Sequence, residues 1–310
     1  MTIRPRQLTL AAVCVLTAAF NPTVQAETIF GLTTTNSISV IDSTAASTVQ
    51  NSGAVTGLAA GENLIDIDYR PGADQIYGLS SFDNVYTIDR QTFGVSLVGN
   101  FAPPSLVGNS FAFDFNNAFD GGSGDPADIG RFARIISDTD NNRVIDGNTG
   151  QYLGAPDKTA VFYEAGDVNE GADPNVVGIA YTNAVPNAAS TQQYGIDRAT
   201  ASLVTVANNA GTLETVGTLG VNSITDEAAF DISAAGTAFA VLQTGATSEL
   251  FTIDLGSGSA TSLGDFGDGS LIRSLTAAPA ATAVPEPGSF ALLGLGAVAY
   301  MRRKRRPQTA

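Results

Sequence analysis

The sequence has no histidine, no tryptophan and a single cysteine in 310 residues. Without histidine there is no Ser-His-Asp triad, no Cys-His pair and no imidazole ligand for zinc, copper or iron. The one cysteine, Cys14, lies in a segment that reads as a removable leader. The mature chain then has no thiol, so disulfides, cysteine nucleophiles and iron–sulfur sites are excluded. Charged residues are scarce at 15%, against an apolar share of 44%. That balance excludes an intrinsically disordered chain, which needs low hydrophobicity and many charges. Carboxylates, hydroxyls and a few arginines remain for chemistry.

Long apolar runs are also lacking, except for one short run near each end. Residues 1–26 read as a signal peptide: Arg4 and Arg6 precede the apolar run Leu8 to Phe20, and Val24-Gln25-Ala26 places small side chains where a signal peptidase cuts. Cleavage is expected after Ala26. The run is too short for the roughly 20 residues of a spanning helix. At the other end, residues 278–287 form an Ala/Pro linker closing on Pro285-Glu286-Pro287. An apolar stretch, 288–301, follows, and then the basic tail 302–310 with Arg302, Arg303, Lys304, Arg305 and Arg306. As a helix the stretch spans about 21 Å, short of a ~30 Å hydrocarbon core, a gap that snorkelling arginines and local thinning can close. The basic tail is expected on the cytoplasmic side.

The order Pro-Glu-Pro, apolar helix, arginine cluster resembles the PEP-CTERM sorting signal of Gram-negative bacteria. The resemblance implies recognition by an exosortase, transient anchoring in the inner membrane, removal of the tail and delivery to the cell surface or extracellular matrix. It also implies an association with exopolysaccharide and the biofilm matrix.

Between these ends lies a domain, residues 27–277, that is poor in positive charge. Removing the two basic residues of the leader and the five of the tail leaves eight; only Glu286 of the acids lies outside, leaving 29, for a net charge of −21. Nucleic acid and anionic lipid surfaces are therefore not expected partners. Membrane contact is expected only through the C-terminal helix before processing.

The domain repeats. An apolar pair ending in Ile-Asp recurs as Val40-Ile41-Asp42, Thr87-Ile88-Asp89, Val144-Ile145-Asp146, Gly195-Ile196-Asp197 and Thr252-Ile253-Asp254, with the aspartates 47, 57, 51 and 57 residues apart. Gly94, Gly150 and Gly258 follow within a few residues. This predicts a strand ending at Ile, an aspartate bonding to the backbone of a tight turn, and glycine at a positive φ. Strands ending in Gly, namely Leu97-Val98-Gly99, Val216-Gly217-Thr218-Leu219-Gly220 and Ser262-Leu263-Gly264, keep the same phase. So do the alternating segments 64–69, 111–115, 177–181 and 229–232. Four short strands per unit of about 50 residues is the arithmetic of a β-propeller blade. The expectation is an all-β propeller of about five four-stranded blades, with six blades or a β-sandwich as rivals. Strands Thr28–Leu32 and Ser37–Ile41 lack a leading strand, which the run Leu271 to Leu275 would supply, closing the ring. Phe113-Asp114-Phe115-Asn116, Ala180-Tyr181-Thr182-Asn183, Tyr194-Gly195-Ile196-Asp197 and the stretch 209–217 resemble a secreted bacterial family of unknown function. That resemblance supports the architecture and brings no activity.

Two chemistries are conceivable. Asp138, Asp140, Asn142 and Asp146 place oxygens at positions 1, 3, 5 and 9 of a calcium-type loop, but position 6 is Arg143 and position 12 is Thr149. Calcium is the one cofactor the sequence suggests, and a hairpin turn is the competing reading. Asp66, Asp68, Asp114 and Asp231 lie on the alternating strands expected nearest the channel, where paired carboxylates could divide into acid and base. The competing reading is carboxylates bonded to neighbouring backbone. The leading expectation is a non-catalytic binding or structural module that meets signal peptidase and exosortase during export and matrix polysaccharide afterwards. The alternative is a carboxylate-dependent hydrolase or lyase acting on that polysaccharide.

Overall fold

The computed structural model describes residues 26–279, apart from 104, 120–122, 126–127, 154–157, 222–223 and 225–226. The signal peptide, Pro285, Glu286, Pro287, Arg302 and Arg303 therefore lie outside the described residues, with Ala26 at their edge. Among the described residues no helix is long and apolar enough to cross a membrane.

Among the described residues twenty strands form five sheets, arranged as a five-bladed β-propeller. Blade 1 contains β1 (Thr28–Thr33), β2 (Ser37–Asp42) and β3 (Val49–Ala54). Blade 2 contains β4 (Leu64–Arg70), β5 (Gln75–Ser80), β6 (Asn84–Ile88) and β7 (Val95–Asn100). Blade 3 contains β8 (Phe111–Phe115), β9 (Phe132–Ser137) and β10 (Asn142–Asp146). After the short strand β11 (Phe162–Tyr163), blade 4 contains β12 (Val176–Tyr181), β13 (Gln193–Asp197), β14 (Ser202–Val206) and β15 (Thr212–Thr218). Blade 5 contains β16 (Ala228–Ile232), β17 (Ala238–Gln243), β18 (Ser248–Ile253) and β19 (Ala260–Asp265). The last strand, β20 (Ile272–Ala277), returns to blade 1 and pairs antiparallel with β1, Ile29 facing Ala277 and Phe30 facing Thr276. The ring thus closes entirely within residues 28–277. The innermost strands β4, β8, β12, β16 and β20 neighbour one another in that cyclic order, and β20 returns to β4.

The core follows from this ring. The inner strands β12 and β16 are buried at every position, as is β17, the strand beside β16. The outermost strands β3, β7 and β19 are largely exposed. Buried apolar side chains fall into five clusters, one at each junction between adjacent blades. Between blades 1 and 2, for example, Phe30 and Ile38 meet Leu64 and Ile76.

The Ile-Asp repeat does what its chemistry predicts. Each aspartate side chain accepts a backbone N–H two residues on: Thr44 for Asp42, Gln91 for Asp89, Asn148 for Asp146, Ala199 for Asp197 and Gly256 for Asp254. Gly150 and Gly258 supply positive φ, at 66° and 80°. Gly94 does not: there Phe93 takes φ 59°, one residue earlier, with its ring buried in the core.

The expectation of four strands in every blade needs correction in two places. Among the described residues blade 3 has three strands, and at its outer position only Tyr152 bridges to Ile145. Leu153 N still donates to Val144 O at 2.9 Å, but by Val161, whose N–H donates to Asp140 O at 3.1 Å, the chain runs toward the next blade. There β11 adds in parallel to β15, so the sheet of blade 4 has five strands.

Candidate functional site

Each inner strand carries the same short pattern at the axis: Ile67-Asp68-Tyr69, Phe113-Asp114-Phe115, Ile179-Ala180-Tyr181, Phe230-Asp231-Ile232 and Leu275-Thr276-Ala277. Alternation turns the middle residue of each toward the neighbouring inner strand. The side chain at that position then bonds to the backbone N–H that follows the equivalent residue on the next strand. Asp68 Oδ2 accepts Phe115 N–H at 2.9 Å, Asp114 Oδ1 accepts Tyr181 N–H at 3.0 Å, and Asp231 Oδ2 accepts Ala277 N–H at 2.7 Å. Thr276 Oγ1 accepts Tyr69 N–H at 3.0 Å and closes the circuit. The fifth position is Ala180, which has no acceptor, and Ile232 N–H turns instead to its neighbour Asp231 Oδ1 at 2.6 Å. At that junction Gly178 lets the strands approach: a Cβ there would lie 2.8 Å from Phe230 Cβ.

Asp66 makes a second link of the same kind. Its Oδ1 accepts Ile67 N–H at 2.8 Å and the hydroxyl of Ser274 on β20. Three of the four sequence-predicted carboxylates are therefore brought together, with Asp66 on the same inner strand as Asp68. Asp68, Asp114 and Asp231 are 4%, 4% and 5% exposed, and each offers an oxygen within 4.8 Å of the other two.

Burial without a cationic partner disfavours the charged form of such groups. Burial, followed by repulsion from Asp231, pushes Asp66 up to about 8. Asp231 rises to about 6, chiefly through burial. Asp68 and Asp114 are driven well above the usual carboxylate range by burial first, then by repulsion from Asp231 and Asp68 respectively. Three carboxylates and the Thr276 hydroxyl, which donates to Asp231 Oδ2 at 3.0 Å, are the groups that could face a hard cation. Calcium takes six to eight oxygens, so this set would have to use its carboxylates in bidentate fashion or add further ligands. Their shared present use is to receive backbone N–H groups that would otherwise be buried without a partner.

Asp138, Asp140, Asn142 and Asp146 are not brought together. They lie along the β9–β10 hairpin, and β10 alone separates Asn142 from Asp146 by about 13 Å at ~3.3 Å per residue. Asp138 Oδ1 accepts Asn109 N–H at 2.8 Å. Asp140 occupies the turn at φ 62°. Asn142 accepts from Arg134 and donates to Thr159 O and Asn208 O, at 3.0 and 2.8 Å. Asp146 pairs with Arg131 at 3.3 Å. The calcium-like spacing here is that of Asp and Asn as turn formers.

Sequence reasoning missed Ser274 and Thr276. The signal was present: aligning Leu275-Thr276-Ala277 on the other inner strands places the hydroxyl where three strands carry aspartate.

A family model described as Domain of unknown function (DUF4394) matches residues 37–276, and the PEP-CTERM protein-sorting motif matches residues 283–306. No curated protein matches the sequence. Among solved structures, a chain of a nidogen/laminin complex is 11% identical, with 83% of this chain and 100% of that chain covered and a TM-score of 0.47. Hydrazine synthase from Kuenenia stuttgartiensis is 16% identical over 68% of this chain and 51% of that one, with a TM-score of 0.37. TolB from Acinetobacter baumannii is 15% identical over 77% and 53%, with a TM-score of 0.41. The chain thus spans about half the length of the latter two. These scores support no statement about activity.

Proposed function

The chain belongs to the DUF4394 family of domains of unknown function, and from that premise we propose that it serves as a non-catalytic binding or structural module of the cell surface or extracellular matrix, associated with exopolysaccharide. Its PEP-CTERM motif implies export, exosortase processing and surface sorting in a Gram-negative bacterium. In this reading the signal peptide is 1–26, the working domain 27–277, the linker 278–287, the sorting helix 288–301 and the cytoplasmic tail 302–310. The inner-membrane anchor is transient.

One observation carries the non-catalytic reading. Every axial carboxylate is buried and already receives an N–H or O–H from its own or a neighbouring inner strand. A glycoside-cleaving pair needs room for a sugar ring between an acid and its partner, and substrate access to both. Buried carboxylates that stitch one strand to the next offer neither.

The test uses the closed domain, residues 27–279, with polysaccharide from the producing organism's own matrix. Size-exclusion chromatography follows the length of the polysaccharide, and co-sedimentation follows the bound protein. Bound protein with unchanged chain length is expected. Shortened chains would overturn the reading in favour of a hydrolase or lyase.

A further inference from the structure

Arg134 sits on β9, is 5% exposed, and among the described residues meets no carboxylate. Its Nε donates to Tyr181 Oη at 3.0 Å, one terminal nitrogen donates to Asn142 Oδ1, and the other donates to Asn209 Oδ1 at 2.9 Å. All three acceptors are neutral. A guanidinium has five N–H groups in a planar fork, so one on each terminal nitrogen is left over. Asp114 stands directly across the β8–β9 ladder from Arg134, but its Oδ1 faces Tyr181 N–H on blade 4 and no ion pair forms. A buried cation without a counter-charge is costly unless an anion completes it.

The space for that anion is present. Arg134 lines a cavity of about 110 Å³ between blades 3 and 4, together with Tyr181, Asn208 and Asn209. Phe119, Phe132, Val144 and Asn209 also line an adjoining cavity of about 500 Å³, which adds Arg131 and Lys158. Together the two have the size of a small-molecule site. The charge of this place is unlike the rest of the domain. Of eight basic residues in 27–277, against 29 acidic ones, three line these two cavities, and among the described residues no acidic one does. Arg131 is neutralised by Asp128 and Asp146. Lys158 forms no ion pair among the described residues.

The remaining lining selects among anions. Phe119 is 40% exposed and packs on Phe132 with ring centroids 5.3 Å apart, so an aromatic wall faces the opening. The side-chain amides of Asn208 and Asn209 accept from Tyr181 Oη and Arg134, and among the described residues their NH₂ groups meet no acceptor. A ligand matching all three features carries a carboxylate for the fork, hydroxyls for the amides and an apolar ring face for the phenylalanine wall. We infer that this blade 3–blade 4 pocket binds a sugar acid, with the carboxylate of a uronic acid residue on Arg134. A fork of two parallel N–H donors matches a carboxylate more closely than a point charge does. The site is separate from the axial carboxylates, and free monosaccharides test it whether or not the protein binds matrix polysaccharide.

The experiment is a calorimetric or NMR titration of the 27–279 domain with glucuronate, galacturonate, glucose, acetate and inorganic phosphate in turn. At least one uronate is expected to bind about tenfold or more tightly than glucose and acetate, the size of effect a charge-assisted bidentate pair supplies. Phe119→Ala, at an exposed position, is expected to weaken uronate binding several-fold at an unchanged melting temperature. Lys158→Gln is expected to reduce both the affinity and its salt dependence. Arg134→Lys keeps the charge but removes the fork, and is expected to abolish the preference for uronate over acetate; if that variant fails to fold, the Phe119 and Lys158 variants still decide. Absence of saturable uronate binding, equal binding of glucose, or acetate or phosphate binding as tightly as uronate would overturn the inference.

Discussion

Asp231 Oδ2 accepts the backbone N–H of Ala277 at 2.7 Å, so a carboxylate from blade 5 holds the strand that closes the propeller ring. Ala277 in turn faces Ile29 across the β20–β1 ladder, where the two ends of the domain meet. Asp68 with Phe115 and Asp114 with Tyr181 repeat the same contact around the axis. These side chains replace, between blades, the backbone ladder that exists only within them. Their burial follows from that task.

Asp231→Ala and Asp231→Asn should differ. Alanine leaves the Ala277 N–H and the Thr276 hydroxyl buried with one partner fewer, which costs about 1–3 kcal/mol for each group left unsatisfied. Asparagine keeps an acceptor of the same shape and removes a charge that burial disfavours. Urea unfolding at pH 7 should show the alanine variant clearly destabilised, and the asparagine variant equal to or above wild type. Equal losses in both would mean that the charge, not the hydrogen bond, matters here.

The domain should grow more stable as pH falls from 8 to 5. Asp66 and Asp231 are raised to about 8 and about 6 in the folded state, from an ordinary 3.8. Between pH 4 and those values the unfolded chain has released protons that the folded chain still holds. The contribution to stability is therefore full below pH 4 and is lost as pH rises through 6 and then 8, at up to about 1.4 kcal/mol per pH unit for each group. Thermal melts across this range should show a falling melting temperature with rising pH, and Asp66→Asn should flatten the slope above pH 6. A melting temperature that rises toward pH 8 would contradict the assignment.

Local chemistry made much of this fold legible in the sequence. The five Ile-Asp turns and the alternating inner strands follow from patterns within about ten residues, and ring closure from the count of strands left unpaired at the two ends of the domain. Even the two glycine motifs have a common cause: Gly99 on β7 meets Gly150 in the turn of the next blade, and Gly217 on β15 meets Gly258 in the same way. What was not legible depends on distance between units. Three carboxylates on β4, β8 and β16 converge only because the ring has five members. The missing outer strand of blade 3 and the added β11 depend on where one connection leaves its blade. The Arg134 pocket draws on residues 119, 134, 181 and 209, from two blades, with no shared pattern to join them. The Asp138–Asp146 spacing misleads because turn formers and calcium ligands are the same residue types.

Those glycine pairs make a sharp prediction. A Cβ on Gly217 would stand 2.1 Å from the carbonyl oxygen of Ser257, and one on Gly99 would stand 2.0 Å from that of Thr149. Backbone cannot yield as a side chain tip does, so Gly217→Ala and Gly99→Ala should each cost at least the ~1–3 kcal/mol typical of overpacking. Gly245→Ala is the control, since nothing lies within 4 Å of its Cβ position and its φ is not in the left-handed region. It should be neutral or slightly stabilising in the same melting assay. A uniform response of all three would show that the blades can slide apart to admit a methyl group.

The fourth Ile-Asp turn is the one in which a substitution should strengthen the fold. After Asp197 no glycine follows in phase, and Ala201 takes the left-handed conformation, with φ 47°. For an L-residue that conformation costs roughly 1–2 kcal/mol. Glycine removes this cost but loses about 0.5–1 kcal/mol through the greater freedom of the unfolded chain. Ala201→Gly should therefore stabilise by about 0.5–1 kcal/mol, visible as a higher urea midpoint at unchanged slope. The same exchange at Phe93, the other repeat position where a non-glycine residue takes positive φ, should do the opposite. Its φ is 59°, but its ring is 2% exposed and belongs to the core between blades 1 and 2. Removing a buried phenylalanine costs ~3–5 kcal/mol, more than the relief of backbone strain returns. Opposite signs at two positions with matching backbone would separate turn strain from core packing within one repeat.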